Sequence, residues 1–318
     1  MFRSFAVFLM WLAFQSAFAQ GFPVRAVRLV VPFPPGGSTD IVARLVADQL
    51  SRTWGQPVVV DNRSGASGQI GADAVAKAAP DGYTMLMGTL ATNVIGHLLF
   101  SKIPYGPDAF APVTMLATTP NMLLVNASIP VSTVAELVAY AKARPGVVSY
   151  SSAGVGLSSH LGMELFTMAA GIELLHVPYR GSSPAHQAFV AKQVNLHLTL
   201  VPNAVFSVKA GEAKPLAVAS AKRAPQFPDV PTFAEVGYKG VEAYAWNGLM
   251  VPAGTARAVI DKIQRDAMTA LKNPELRKRL NSLGLDPIGG TPEDFATAIR
   301  QEYERWGPLI KRGNIRVE

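Results

Sequence analysis

The stretch from Val27 to Leu45 constrains the fold more than any other part of the chain. Val27, Leu29, Val30 and Val31 alternate too little for a half-wet strand, so the run reads as a strand covered on both faces, as in a parallel sheet. Pro32, Pro34 and Pro35 end it. Gly36 and Gly37 allow a tight turn and close approach of a partner. Ser38 or Thr39 then offers an N-cap oxygen to a helix whose Ile41, Val42, Leu45, Val46 and Leu50 share one face. A strand, a glycine loop and a helix start gather free amide donors and the positive end of a helix dipole in one place, which suits an anion.

The same order returns between Val147 and Leu161, where a short strand passes through Ser152, Gly154 and Gly156 into Leu157 and Ser158. The helix that follows carries Leu157, Leu161, Leu165 and Met168 on one stripe. Two such mouths suggest two lobes, and if they face each other across a cleft one carboxylate can receive donors from both.

At 318 residues the chain exceeds the size at which one core stops growing, roughly 250 to 300 residues, so two domains are expected. The expected division is a leader over 1–19, a discontinuous first lobe over 20–120 and 245–318, and a second lobe over 121–244. Arg3, the apolar run Phe5 to Phe14 and Ala17-Phe18-Ala19 have the pattern of a secretory signal cleaved after Ala19, so the mature protein is expected to be exported. That run is shorter than the roughly 20 residues a membrane helix needs. With no cysteine the chain is held together without disulfides. A net charge of +7 attracts anions, yet only 16% of residues are charged. The basic pairs are scattered and lack interleaved stacking aromatics, which argues against nucleic acid.

In order, Pro57 to Val60 reads as a second strand, a helix carrying Ile70, Ala74 and Val75 follows, and Tyr83 to Met87 is a third buried strand. The loop after it contains Thr89, Ala91 and Thr92. In open α/β sheets ligands bind beyond the carboxyl ends of strands, so this loop shares a rim with the first mouth. Two apolar runs between Ala111 and Val125, interrupted at Ala117 to Asn121, read as two short strands crossing between lobes. Val131 to Glu136 opens a capped helix, and Ile172 to Val177, Val194 to Thr199 and Leu216 to Ser220 alternate with helices. Pro228 to Thr232 starts a short helix, Tyr244 to Val251 is the return crossing, and the tail is helical and packs on the first lobe.

Bland roles compete with functional ones. Asp40, in the first turn of its helix, reads as structural. His160 reads as a satisfied helix histidine, and Ser159 is as easily solvated as ligand-facing. Phe33, Tyr179 and Trp246 can wall the cleft or fill core. Serines near His160 invite a hydrolase reading, but there is no G-x-S-x-G elbow, no phosphate loop and no third glycine after Gly154-Val155-Gly156. The five histidines lack paired ligand spacing, so neither metal nor cofactor is expected.

Val31-Pro32-Phe33-Pro34-Pro35-Gly36-Gly37-Ser38-Thr39-Asp40, Ala78-Ala79-Pro80-Asp81-Gly82-Tyr83, His176-Val177-Pro178-Tyr179-Arg180-Gly181 and Pro228-Asp229-Val230-Pro231-Thr232, taken in order, resemble the Bug or TctC-type receptors of tripartite tricarboxylate transport. The resemblance implies a type II periplasmic binding fold of class α/β, two lobes joined by two hinge crossings. It implies a Venus-flytrap that closes on a small carboxylate without catalysis. A monomer delivering to a membrane permease or a sensor kinase is expected from it. The candidate ligand-binding residues are then Phe33, Pro35, Gly36, Gly37, Ser38, Thr39, Thr89, Ala91, Thr92, Ser152, Gly156, Leu157, Ser158, Tyr179, Asn203 and Trp246. Relatives usually carry a hydroxyl residue where this chain has Leu157, and often acidic residues where it has Asn195 and Thr199. Those departures point to a plain organic acid over an amino acid.

Overall fold

A computed structural model of the chain describes residues 21–312. The expected leader, residues 1–19, lies outside the described residues. The first lobe begins with β1 (Val27–Val31), α1 (Ser38–Trp54), β2 (Val58–Asn62), α2 (Gln69–Ala76) and β3 (Thr84–Thr89). A π-helical turn, Ala91–Ile95, then runs into the short α3 (Gly96–Leu99). β1 lies between β2 and β3, parallel to both, and its Val27, Leu29 and Val31 face one core while Val30 faces another, so the strand is covered on both sides as its composition requires.

β4 (Phe110–Asn126) is the spine of the molecule. From Phe110↔Pro252 to Pro120↔Tyr244 it pairs antiparallel with β9 (Tyr244–Pro252), and β9 in turn pairs with β3. From Asn121↔Leu200 onward it pairs with β7 (Leu196–Leu200), and from Met122↔Val218 with β8 (Ala213–Val218). The two short strands expected here are thus one strand of 17 residues. Proline normally ends a strand because it cannot donate to the ladder. Here Pro112 sits at a register shift in the pairing with β9, and Pro120 at the point where β4 exchanges β9 for β7.

Between them lie α4 (Val134–Lys142), β5 (Ser149–Ser152), α5 (Ser158–Ala170), β6 (Leu175–Pro178), α6 (Ser182–Val190) and α7 (Val201–Lys209). The sheet path runs β2-β1-β3-β9-β4-β7-β5-β6. Thr133 caps α4 by accepting the Glu136 N–H while Glu136 accepts the Thr133 N–H in return. Pro228 to Thr232 is not a helix. Thr232 bridges to Val218, and the Glu235 carboxylate takes the Thr232 N–H at 2.7 Å, so the segment closes a turn against β8.

The first lobe has a core on each sheet face, one built on Leu29, Met85 and Leu249, the other on Val30, Leu86 and Trp246. Lobe two likewise has one around Leu123, Tyr150 and Phe166, and one around Met122, Leu124 and Phe189. The tail does pack on the first lobe. α8 (Arg257–Lys272) places Ile260, Ile263 and Ala267 on one of its cores, joined by Leu276 and Leu280 of α9 (Pro274–Ser282). The two-residue β10 (Asp286–Pro287) pairs with β4, and α10 (Pro292–Arg312) sends Phe295, Trp306 and Ile310 into the opposite core. Among the described residues no helix is long and apolar enough to cross a membrane.

Candidate functional site

Four helices begin at one chamber, and none of the four starts with a side-chain cap. α1 starts at Gly37, α5 at Leu157, α6 at Gly181 and α7 at Leu200. Gly37, Leu157 and Leu200 themselves line the chamber, as do Ser38, Thr39, Ser158, Ser159 and Ser182 of the first turns. The chamber encloses about 650 Å³ of empty space, counting its open mouth. Elsewhere Thr133 caps α4 and Asn273 caps α9, while α2, α3 and α8 also start without a side-chain cap, so what sets the four apart is that their starts converge on one chamber. A first helical turn carries orphan N–H groups and the positive dipole end, so the uncapped starts leave donors from both lobes free.

The N-cap expected from Ser38 or Thr39 is instead Gly37, with Ser38 already the first helical residue. Ser38 Oγ is consequently left without any partner, although the residue is only 1% exposed. A buried hydroxyl without a partner costs about 1–3 kcal/mol, and this one lies on the chamber wall. The loop before it is held by Asp40. Its carboxylate accepts the Gly36 N–H at 2.9 Å, Arg44 Nε at 2.9 Å and Asn62 Nδ2 at 2.9 Å. Burial alone would push this carboxyl up, but the hydrogen bonds from Arg44, Gly36 and Asn62 outweigh it and hold it below its ordinary value. Asp40 is therefore the structural member its position in the first turn suggested. Replacing it with Asn is expected to cost about 1–3 kcal/mol by urea denaturation at pH 7, because one charge-assisted network is lost while Arg44 is left unpaired.

The second mouth is braced from behind. Gly156 N–H donates to His160 Nδ1 at 3.2 Å, and Ala153 N–H donates to Ser159 Oγ at 3.1 Å. Ser159 is thus buried and partnered, not solvated. His160 stacks on His176 at 4.4 Å, which stacks on Tyr150 at 4.7 Å. Burial lowers His160 to about 3, with His176 beside it adding to the effect, and burial lowers His176 to about 4. Both rings are neutral near pH 7, as a ring that accepts an N–H must be.

Of the sequence candidates, Phe33, Gly37, Ser38, Thr39, Thr89, Ala91, Leu157, Ser158 and Trp246 line the chamber. Trp246 is also core, edge-on to Phe295 at 5.2 Å. The remaining candidates stand elsewhere. Pro35 and Gly36 are exposed on the outer side of the first loop, where the Pro35 carbonyl accepts Ser183 Oγ at 3.3 Å. Thr92 is wholly buried and donates to Asn93 Oδ1 at 2.8 Å. Ser152 is wholly buried behind the loop with its Oγ 2.6 Å from His176 Nε2. Gly156 supplies the brace to His160. Tyr179 faces an outer groove shared with Ser67 and Arg180. Asn203 reaches the chamber only through Thr199, to whose Oγ1 it donates at 3.2 Å.

Sequence reasoning missed Asn121, Ser182, His197, Leu198 and Leu200, all of which line the chamber. Asn121 Nδ2 donates to the Ala243 carbonyl at 3.1 Å, and its Oδ1 has no partner. His197 Nδ1 lies 2.8 Å from Ser151 Oγ, and its Nε2 has no partner. Burial, with His186 adding to it, lowers His197 to about 3 against the opposing bond to the Ser151 carbonyl. Among the described residues, no Lys, Arg, Asp or Glu lines the chamber. The lobes meet over it through Ser67 Oγ, which donates to the Val155 carbonyl at 3.0 Å, and through the Ser183 to Pro35 bond.

Comparison with known proteins agrees with this architecture. Residues 42–315 match the family model described as tripartite tricarboxylate transporter family receptor. Protein BugT of Bordetella pertussis is 35% identical over 302 residues, covering 94% of this chain and 93% of that one. Rpa4515 of R. palustris, solved with adipate, superposes with a TM-score of 0.91 at 38% identity, covering 93% of this chain and 99% of that one. MatC from Rhodopseudomonas palustris, solved with bound malate, gives a TM-score of 0.86 at 35% identity, covering 91% of this chain and 100% of that one. In sequence and in its two-lobed fold alike, the chain belongs to the Bug or TctC-type receptors of the tripartite tricarboxylate transporter family.

Proposed function

We propose that this protein works in the periplasm as a monomeric receptor, capturing a small organic carboxylate between its lobes for uptake by a tripartite tricarboxylate-type permease. The observation that carries the reading is the convergence of uncapped helix starts from both lobes on a chamber without a formal charge. An anion there is held by backbone amides and hydroxyls, and negative charge is what a helix N-terminus favours. The adipate and malate of the two solved relatives fit the same chemistry. Micromolar affinity corresponds to about 8 kcal/mol, while a charge-assisted hydrogen bond contributes about 1.5–3 kcal/mol. One mouth cannot supply that after the cost of association, and two can, so capture and closure are one event.

Ser38→Ala tests the reading. The hydroxyl has no protein partner, so its removal should leave the urea midpoint unchanged or slightly raised. Carboxylate affinity measured by calorimetry should fall about tenfold or more, the equivalent of one charge-assisted bond. Unchanged affinity would remove Ser38 from the site. The buried Ser152 and His176 pair lies outside the chamber lining, so the same protein is expected to give no steady turnover of ester substrates. Ester turnover that survived purification and vanished in Ser152→Ala would instead point to a hydrolase. Delivery to a permease is tested separately, by capture of permease subunits from membranes with ligand-loaded protein.

A further inference from the structure

Beside its helix starts, the second-lobe wall of the chamber presents two bare side-chain atoms. Asn121 stands where β4 changes partners, and the bond from its Nδ2 to the Ala243 carbonyl fixes the orientation of the amide, because a carbonyl can only accept. Its Oδ1 is therefore an acceptor, unpartnered in a side chain that is wholly buried. His197, on β7, is 1% exposed, and its Nδ1 lies 3.3 Å from the Ser151 carbonyl, which again only accepts. Ser151 Oγ, at 2.8 Å, is the nearer neighbour of Nδ1 and can donate to it or accept from it, so Nε2 is a second unpartnered ring nitrogen that donates or accepts according to the tautomer.

From these two groups, and resting on the carboxylate reading above, we infer that the ligand is a hydroxy acid: a monocarboxylate with a hydroxyl that donates to Asn121 Oδ1, with His197 Nε2 as a second group that a hydroxyl can pair with in either tautomer. The chemistry excludes the competing classes in turn. A second carboxylate set against Asn121 Oδ1 would meet a lone pair, and among the described residues no lysine or arginine lines the chamber to offset it there. An ammonium would be buried without any carboxylate to offset its charge. A plain alkyl or aryl chain would leave both groups unsatisfied. A hydroxyl supplies one donor, carries no charge and satisfies an acceptor that is otherwise an orphan. Sites built to hydrogen-bond a ligand hydroxyl discriminate strongly against the analogue that lacks it.

Calorimetry on the purified full chain at pH 7.5 tests this with matched acids: butyrate with its 3- and 4-hydroxy derivatives, benzoate with its 3- and 4-hydroxy derivatives, and succinate, adipate, glutamate and 4-aminobutyrate as competitors in class. The expected result is a hydroxy acid that binds at least about tenfold tighter than its parent and tighter than every dicarboxylate and amino acid tested. That advantage should disappear in Asn121→Ala or in His197→Phe, with the parent acid's affinity in each variant reporting that the chamber is intact. A hydroxyl advantage retained in both variants, or a parent acid, dicarboxylate or amino acid that binds as tightly as the best hydroxy acid, overturns the inference and leaves the carboxylate receptor standing. Failure of every carboxylate to bind overturns the receptor reading itself.

Discussion

Between pH 6.5 and 4.5 the protein is expected to lose stability steadily, beginning above the range in which carboxylates titrate. Burial holds His160 at about 3, His176 at about 4 and His197 at about 3 in the fold. In the unfolded chain the same rings take up protons below about 6.5. Their folded values are depressed, so the unfolded state binds more protons throughout that window, and stability rises with pH across it. The contribution is complete above about pH 6.5 and is lost as pH falls toward the folded values. Three protons correspond to a limiting slope of roughly 4 kcal/mol per pH unit, against a total stability of about 5–15 kcal/mol. Urea midpoints at pH 7.5, 6.5, 5.5 and 4.5 measure it. A midpoint flat over this range would mean that the rings titrate normally in the fold. His176→Phe keeps the stack between Tyr150 and His160 and should reduce the slope by about one proton.

The second large effect is expected from Gly181→Val. Gly181 has φ +124°, and a Cβ there would stand 2.8 Å from Pro34 Cδ, on the opposite lobe. The contact exists only while the lobes meet, so the clash acts on closure, whereas the backbone strain of a side chain at φ +124° is present in either state and is read separately from the urea midpoint. Overpacking of this kind costs about 1–3 kcal/mol, which weakens a ligand that needs the closed form by about 5- to 150-fold. Small-angle scattering of the variant with saturating carboxylate should show a wider particle than the parent protein under the same conditions. Gly37 offers the comparison, because its φ is −80° and a Cβ there would meet nothing closer than 3.8 Å. Gly37→Ala is expected to bind nearly as the parent does. The first mouth thus needs Gly37 less for its backbone than the pair of adjacent glycines suggests, whereas its neighbour Gly36 has φ +83°.

Local signals carried the alternation of strand and helix and both glycine mouths. Each is written within a dozen residues: a buried apolar run, a turn that needs positive φ, and an amphipathic stripe. Phe33, Ser38, Leu157 and Ser158 line the chamber because the mouth that contains each of them does. Asn121 and His197 were out of reach of that reasoning. They meet the chamber through strand register, Asn121 opposite Leu200 and His197 opposite Leu124, and register is set by pairings between segments some 75 residues apart. The prolines misled in the other direction. Pro120 looks like a break, yet it stands where the ladder changes partners and no continuous pairing is interrupted. Ser38 misled most usefully. A serine before a helix reads as a cap, but with Gly37 as the cap residue its hydroxyl is free and joins Asn121 and His197 among the unpartnered polar groups of the chamber.

The central claim is that a carboxylate is held at once by the amide ends of helices from both lobes. A crystal structure of the protein loaded with the acid released from it and identified by mass spectrometry tests this most directly. The account predicts carboxylate oxygens within hydrogen-bond distance, directly or through one water, of the amides at Ser38 or Thr39 and at Ser158 or Ser159. A carboxylate bound by one lobe alone, or seated in the outer groove beside Arg180, would contradict it.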